Sequence, residues 1–279
     1  MHAHDEGLHH DLQRLAQQAA QRRRALRWLS LGGIAPLAVL GCSAGAGRSA
    51  AAAGAQGPNG EACAVIPDET AGPFPADGTN RVNGSVVNAL ALSGIVRSDI
   101  RASIAGAPGV ADGVPMSLAL KLVNFGAACA SLEGFAVYVW QCDALGRYSM
   151  YSRGATAQNY LRGVQATDAS GTATFRTIFP GCYAGRVPHI HLEVYRSVAS
   201  ATSSVIAANR IKTSQLAFPD AVANAVYASS GYGNSAANMA AVSLASDGIF
   251  SDGVALQMSA VSGSVAGGLV ATLRVGIAA

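Results

Sequence analysis

The stretch from Phe179 to Val194, FPGCYAGRVPHIHLEV, contains the residue types in this chain that most readily do chemistry. His189 and His191 are its two histidines, and no other histidine follows residue 10. Side chains two residues apart in a β-strand point to the same face, so this pair has the arrangement of two metal ligands. A three-histidine site is excluded after residue 10, and any further ligands must be Asp, Glu, Tyr, Cys or water.

Two tyrosines supply candidate oxygen ligands. Tyr183 precedes His189 across a short turn, and Tyr148 follows the apolar run GFAVYVW at residues 134–140. A phenolate is a hard anionic donor. Because the free phenol has a pKa of about 10, only a strongly Lewis-acidic ion ionises it near neutral pH. Two phenolates with two imidazoles therefore favour ferric iron over zinc or copper.

The elements that must hold these side chains have the pattern of short β-strands. Apolar residues alternate with polar ones in four runs, which cover residues 116–123, 134–140, 189–195 and 269–275. Gly, Pro, Asn and Asp separate the runs, and Asp168–Gly171 has the pattern of a hairpin turn. The pattern predicts an all-β fold, an antiparallel β-sandwich forming a single domain, with a helical or irregular stretch at residues 219–246.

Composition and cysteine usage argue against a nucleic-acid partner and a structural zinc site. The chain has 279 residues and a formal net charge of +3, and its basic and aromatic residues are not clustered enough to suggest a nucleic-acid surface. The sequence therefore predicts no nucleic-acid binding. Four cysteines follow Cys42, at positions 63, 129, 142 and 182, and they allow three disulfide pairings. The lack of a CxxC motif argues against a structural zinc site.

The first 42 residues have the pattern of an export signal. RRRALR at residues 22–27 precedes an apolar run that is shorter than the roughly 20 residues of a membrane span. The arginines resemble a twin-arginine motif, with an ordinary secretory signal as the alternative. VLGC, which ends at Cys42, resembles a lipobox, with a chance cysteine beside a cleavage site as the alternative. The predicted organisation is a signal with a lipid anchor at Cys42 (1–42), a flexible tether (43–60) and an exported periplasmic or membrane-anchored domain (61–279).

Several stretches together resemble the intradiol ring-cleavage dioxygenase family. They are CAVIPDETAGPFPAD (63–77), GIVRSDI (94–100), VYVWQCDALGRYS (137–149), NYLRGVQATDASGTATFRTIFPGCYAGRVPHIH (159–191) and, more weakly, FSDGVALQMSAVSG (250–263). The resemblance covers most of residues 61–278. Both tyrosine-containing stretches stand in the family's order, and Arg186 lies three residues before the first histidine of the pair.

The resemblance implies a ferric iron site with Tyr148, Tyr183, His189 and His191 as ligands and a water or hydroxide at a fifth position. It implies that Tyr183 leaves the metal when a catechol binds and helps to take up its proton, whereas Tyr148 stays bound. Arg186 is implied to stabilise the charge that builds on the substrate ring. The implied reaction uses O2 to break the bond between the two oxygenated ring carbons and gives a muconate-type dicarboxylate.

The resemblance also bears on the cysteines and the substrate. It implies a disulfide between Cys63 and Cys129, and it leaves Cys142 and Cys182, which flank the two tyrosines, as a second candidate pair. Two features depart from the family: Cys182 stands where an aromatic residue is frequent, and the spacing from Tyr183 to the histidines is short. Both fit a smaller, exported branch, and they leave the particular catechol undetermined.

One rival function is compatible with the sequence. A non-catalytic, prealbumin-like β-sandwich that binds a ligand or partner outside the cytoplasm would have the same strand pattern and the same leader. In such a protein the histidines would be surface-strand residues, the tyrosines would bond backbone at the sandwich corners, and Arg186 would form a surface ion pair. The sequence does not determine the oligomeric state, and a homo-oligomer is compatible with it.

Overall fold

Strands dominate the part of the chain that the structure, a computed structural model, describes: residues 55–56, 62–203 and 206–279. Thirteen strands lie within these residues. They are β1 (Ala55–Gln56), β2 (Ala62–Cys63), β3 (Asp77–Val82), β4 (Ser85–Asn88), β5 (Pro115–Asn124), β6 (Ala130–Ser131), β7 (Ala136–Trp140), β8 (Arg162–Ala166), β9 (Thr172–Ile178), β10 (His189–Tyr195), β11 (Arg210–Ala217), β12 (Ala260–Ser264) and β13 (Gly268–Ile277). The predicted signal, the lipobox and the predicted tether except for Ala55–Gln56 lie outside the described residues.

Short helices connect the later strands. The four α-helices of the described residues are α1 (Val198–Ala201), α2 (Ile206–Asn209), α3 (Asp220–Tyr227) and α4 (Ser235–Ala240), and Phe125–Ala127 and Phe250–Asp252 form 3₁₀ turns. Helices α3 and α4 account for the helical character predicted at residues 219–246. Across the described ranges, no helix has the length and apolar character needed to cross a membrane.

Two larger sheets enclose the main core. Their strand orders are β11-β10-β7-β8 and β12-β13-β5-β6, and β9 also pairs with β5. Apolar side chains of both sheets, such as Leu120 of β5 and Val139 of β7, pack in one buried cluster. The predicted all-β sandwich is confirmed. One pair departs from the antiparallel pattern, because β5 and β13 run parallel.

The alternation of residue types in β5 decides which of its side chains enter this core. Met116, Leu118, Leu120 and Leu122 are buried, whereas Ser117, Ala119 and Lys121 between them are only half-buried. Burial of one leucine side chain stabilises the fold by roughly 1.5–3 kcal/mol. A change of register by one residue would expose the whole apolar row, so the alternation determines the register of this strand.

Strand β10 separates the main core from a second, more polar layer. Ile190, Leu192 and Val194 join the main core, and all seven residues of the strand are buried. The histidines point the other way. On that face four residues stand side by side in register across the sheet, in the order Gln215, His191, Trp140 and Arg162. This set is called the cross-strand row below.

Residues 66–76 run over the polar face of this sheet and are called the covering segment below. The Glu69 amide donates to the Thr213 carbonyl at 2.9 Å, and the Tyr138 hydroxyl donates to the Pro75 carbonyl at 2.8 Å. At the start of the segment, the Ile66 amide donates to the Gly276 carbonyl of the other sheet at 2.9 Å. The segment therefore shields a layer of polar side chains that the strands alone would expose.

The turn at Asp168–Gly171 forms as predicted, but it does not close a hairpin. The Gly171 amide donates to the Asp168 carbonyl at 2.8 Å, and Gly171 has a φ of +78°, a conformation that suits glycine. Strand β8 pairs with β7 and strand β9 pairs with β5. The predicted hairpin is therefore wrong, because the turn carries the chain from one sheet to the other.

The cysteines follow the prediction in part. Cys63 and Cys129 form a disulfide across 66 residues of sequence, so the predicted pairing is confirmed. The chain-entropy model gives such a bridge a stabilising effect of about 4 kcal/mol. Cys142 and Cys182 are free and buried, so the second candidate pair is wrong. Each thiol is instead directed at a backbone carbonyl, Cys142 at Gly181 (3.4 Å) and Cys182 at Arg186 (3.2 Å).

Candidate metal and catalytic site

His189 begins β10 with its imidazole ring fixed by the backbone. Its Nδ1 lies 2.7 Å from the Val187 carbonyl, which can only accept, so Nδ1 carries the proton. The lone pair of Nε2 then faces two phenols, the Tyr148 hydroxyl at 3.3 Å and the Tyr183 hydroxyl at 3.2 Å. Metal-binding histidines are commonly oriented by a hydrogen bond of this kind.

His191 lies on the same face of β10, and its ring is 5.0 Å from the ring of His189 between centroids. Its cross-strand neighbour Trp140 stacks on it at 4.8 Å with an interplanar angle of 8°. Gly72 of the covering segment also lies against the ring: a Cβ there would be in van der Waals contact with it at 3.4 Å, and the φ of Gly72 is +67°. The ring is therefore held between an indole and a backbone that favours glycine.

Tyr148 is placed by a tight loop that follows β7. The Asp143 carboxylate accepts from the amides of Leu145 and Arg147 at 3.0 and 2.9 Å, and it pairs with the Arg147 side chain at 2.8 Å. The Tyr148 side chain is 2% exposed, and the ring of Phe74 packs on it at 4.9 Å. The loop and the covering segment thus confine the phenol from two sides.

Tyr183 lies on the loop before β10 and is only partly buried. Helix α4 supports this loop, since the Ser235 hydroxyl accepts from the Cys182 amide at 3.0 Å and the Asn238 side chain donates to the Cys182 carbonyl at 2.7 Å. The Tyr183 ring meets the Tyr148 ring edge-on at 5.9 Å. Of the two phenols, Tyr183 is the more exposed.

Arg186 points its guanidinium at the same centre. Its Nε donates to both oxygens of Asp247 at 2.9 and 3.0 Å, and its Nη2 donates to the Gln215 side chain at 2.7 Å. The Phe250 ring lies 5.7 Å beneath it. These contacts leave Nη1 directed at His189 Nε2, at 3.5 Å. The guanidinium is a fixed positive charge beside the phenols and imidazoles.

The electrostatics of the site favour uncharged phenol and uncharged imidazoles. Burial raises the pKa of Tyr148 well above the usual phenol value, and the neighbouring Tyr183 raises it further. Burial lowers the pKa of His189 well below its usual value, and the charge of Arg186 lowers it further. Burial also lowers the pKa of His191 well below its usual value, and the neighbouring His189 and Arg186 lower it further. Neutral imidazoles are the form that binds a metal, whereas a buried phenol needs a highly charged cation to ionise.

Two phenols and two imidazoles suit ferric iron better than they suit the metals that carboxylates or thiolates usually bind. Among the residues that the structure describes, no group of three or more His, Cys, Asp or Glu side chains could hold a metal ion. The four predicted ligands Tyr148, Tyr183, His189 and His191 are nevertheless together, and they supply two hard oxygens and two nitrogens. A site of this composition depends on a cation that binds phenolate strongly.

Comparison with known proteins gives one family match. Residues 99–209 match the family model described as Dioxygenase. Through these residues the chain is similar to the dioxygenase family. The match includes both tyrosines, both histidines and Arg186, and proteins of the intradiol branch depend in general on non-haem iron. No curated protein sequence matches the chain.

The chain is similar to several solved structures, of which the first named here supports the dioxygenase fold. The chain is similar to an intradiol ring-cleavage dioxygenase from Tetranychus urticae, with 24% identity, a TM-score of 0.55, and coverage of 77% of this chain and 94% of that one. It also matches the dioxygenase domain of a dioxygenase–carbohydrate-binding protein fusion from Streptomyces sp. SirexAA-E, with 23% identity, a TM-score of 0.46, and coverage of 77% and 98%. The predicted resemblance to the intradiol ring-cleavage dioxygenases is confirmed.

Two polar residues of this candidate site are absent from the sequence motifs. Asp247 and Gln215 both hold Arg186, and both lie beyond the matched segment. Asp247 is fully buried and also accepts from the amides of Val187 and Ile249 at 2.9 Å. In the sequence it stands in Ser-Asp-Gly, which reads as a turn. Only the position of Gln215 opposite His191 could have pointed to a role, once the strands were correctly paired.

Proposed function

We propose that this chain is a non-haem Fe(III) intradiol dioxygenase, which cleaves a catecholic ring with O2 to a muconate-type dicarboxylate. The observation that carries the proposal is the convergence of two phenols on one imidazole nitrogen. The hydroxyls of Tyr148 and Tyr183 lie within 3.3 Å of His189 Nε2, with His191 beside them and a fixed guanidinium 3.5 Å away. A prealbumin-like binding module would not require this arrangement of buried groups.

The four ligands proposed for the iron are Tyr148, Tyr183, His189 and His191. The chemistry that ferric iron supplies when bound is chelation of both catecholate oxygens and activation of the ring toward O2. The protein would supply two anionic and two neutral donors, and Phe74, Gly72 and Trp140 pack beside them. Burial lowers the effective dielectric constant around these groups, which strengthens their electrostatic contacts.

The two tyrosines are proposed to have different roles because they are held differently. Tyr148 is almost fully buried and confined by Phe74, so it stays in place. Tyr183 is partly exposed and lies on a loop, so as a phenolate it could move away and take a proton from the incoming catechol, which would leave it as a neutral phenol. Deprotonation of the substrate is needed because a catecholate, rather than a catechol, is the form that chelates strongly.

Arg186 is proposed to stabilise negative charge on the substrate ring. Its guanidinium stays protonated: burial lowers its pKa, but Tyr183 and Asp247 outweigh that effect and the pKa is raised. Asp247 and Gln215 hold it in one orientation before any substrate binds. A pre-oriented charge needs no reorganisation during the reaction, which is the most effective way to lower the barrier of a step that develops charge.

Metal analysis and visible spectroscopy of the purified protein separate this function from the rival binding module. We expect about one iron per chain and a broad visible absorption from phenolate-to-iron charge transfer. The rival predicts a colourless protein without stoichiometric iron. A colourless protein that also takes up no ferric iron when it is offered would contradict the proposal.

We also infer that the domain is exported and anchored by a lipid at Cys42. The Cys63–Cys129 disulfide supports export, because such bonds persist in oxidising compartments. Labelling cells with palmitate should mark the wild-type chain and leave Cys42→Ala unmarked.

The export route is tested separately. Replacement of Arg22 and Arg23 by lysine should reduce export through the twin-arginine route. Equal labelling of both chains would contradict the anchor, and undiminished export would contradict the route.

A further inference from the structure

Arg162 is a buried cation that the site described above does not use. It begins β8, and none of its surface is exposed. Its four hydrogen bonds go from Nε to the Ser149 hydroxyl (3.1 Å), from Nη1 to the Pro75 carbonyl (3.0 Å) and the Tyr138 hydroxyl (3.3 Å), and from Nη2 to the Ser149 carbonyl (3.0 Å). Within the described part of the chain, every one of these acceptors is a neutral oxygen.

Such a group is costly to bury. A charge removed from water without a partner of opposite sign destabilises a fold by several kcal/mol, unless its hydrogen bonds are well formed. The other strongly buried arginine, Arg186, has the carboxylate of Asp247. Arg162 has no ion pair among the described residues, so its hydrogen bonds must offset the free-energy cost of burying its charge.

The location is the layer directly behind the candidate ligands. Arg162 ends the cross-strand row, next to Trp140, which stacks on His191. Its guanidinium also lies over the ring of Tyr151 at 5.4 Å. The arginine is therefore separated from one ligand histidine by a single aromatic ring.

The hydrogen bonds of Arg162 join the two segments that confine Tyr148. Ser149 follows Tyr148 directly, and both its carbonyl and its hydroxyl are bound. Pro75 follows Phe74, whose ring packs on Tyr148. One planar fork thus fixes the loop that carries the phenol and the covering segment that packs on it. A lysine has one charged nitrogen and cannot hold both sides in this way.

We propose that Arg162 is a positioning residue for Tyr148, which fixes the phenol for metal binding through Ser149 and Pro75. This inference rests on the proposed function. It differs from a purely structural role in one respect: loss of the fork should alter the metal site and the loop at residues 147–152 specifically, and not only the stability of the fold.

The test compares Arg162→Met, which keeps an apolar stem, and Arg162→Lys, which keeps the charge, with the wild type. Arg176→Met is the matched control. Arg176 lies on β9, the next strand along the chain, and its side chain is 67% exposed. Three readouts are needed: the ferric iron dissociation constant, the position of the charge-transfer band, and amide hydrogen exchange of residues 147–152 in iron-free protein.

We expect Arg162→Met to weaken iron binding by about 10–100-fold, the range found for partners that orient a metal ligand. The band should shift, and residues 147–152 should exchange faster than in the control. The iron affinity, band position and exchange rates of Arg162→Lys should lie between those of Arg162→Met and the wild type. If Arg162→Met does not fold, the same three measurements on Arg162→Lys test the inference.

Unchanged iron affinity, band position and exchange in the folded variants would overturn the inference, even with a lowered melting temperature. If the wild type binds no iron, the proposed function fails, while the exchange comparison still decides whether Arg162 positions the loop.

Discussion

His191→Ala should give a colourless protein that binds no iron and does not turn over a catechol. The substitution removes one of four proposed ligands and leaves a cavity between Trp140 and Gly72, where the imidazole is held now. Even residues that only orient a ligand change metal affinity by roughly 10–100-fold, so loss of the ligand itself should exceed that range. Iron content per chain and the visible spectrum measure the effect directly.

The control for this variant is the neighbouring residue on the opposite face. Ile190→Val removes one methyl group from the main core and should cost about 0.5–1.5 kcal/mol of folding free energy. It should leave iron content and colour unchanged, because Ile190 does not face the site. His191→Ala protein that is folded and keeps wild-type iron and colour would show that His191 is not a ligand.

Removal of the Arg186 guanidinium should instead slow turnover by about 10²–10³-fold while iron and colour remain. Arg186 is not a proposed ligand, and its effect is confined to charge that builds on the substrate. The single change Arg186→Ala would leave Asp247 buried without its partner, which costs about 3–5 kcal/mol. The variant to measure is therefore Arg186→Met combined with Asp247→Asn.

Asp247→Asn alone is the matched control, because it keeps the guanidinium and loses only the charge that holds it. We expect a smaller loss of kcat than in the double variant, with iron content unchanged in both. Steady-state kinetics with metal analysis on the same samples give both quantities. A double variant that turns over at the wild-type rate would contradict the role of Arg186, and a double variant without iron would assign Arg186 to metal binding instead.

The parts of this site that the sequence predicts are those that local rules determine. A period of two residues places His189 and His191 on one face of β10, whatever the rest of the chain does. Alternation likewise predicts β5 and its buried leucines. The pairing of Cys63 with Cys129 was implied by the family resemblance, which carries information about neighbours that periodicity does not contain.

The parts that the sequence does not predict depend on which strands become neighbours. Gly171 has the local signature of a hairpin, but whether the next strand, β9, pairs with β8 or with β5 is decided by the core between the sheets. Cys142 and Cys182 flank the tyrosines, yet their thiols turn to separate carbonyls. The four members of the cross-strand row become neighbours only through the pairing of β11, β10, β7 and β8, which the sequence pattern does not specify.

The same limit explains the missed partners of the two buried arginines. Asp247 reaches Arg186 across 61 residues of sequence, and Pro75 reaches Arg162 across 87. No spacing rule links such positions. Their contacts arise because the covering segment and the loop near Phe250 close over the polar face of the sheet, which is a property of the folded chain.

The most direct test of the central claim is the structure of the product. Purified iron-containing protein is incubated with a catechol and O2, and the ring-opened product is identified by mass spectrometry and NMR. We expect cleavage between the two hydroxyl-bearing carbons, and hence a muconate-type dicarboxylate formed without added Fe(II). A hydroxymuconic semialdehyde, or activity that depends on Fe(II), would mean that the ring opens beside the two hydroxyls and would contradict the proposed function.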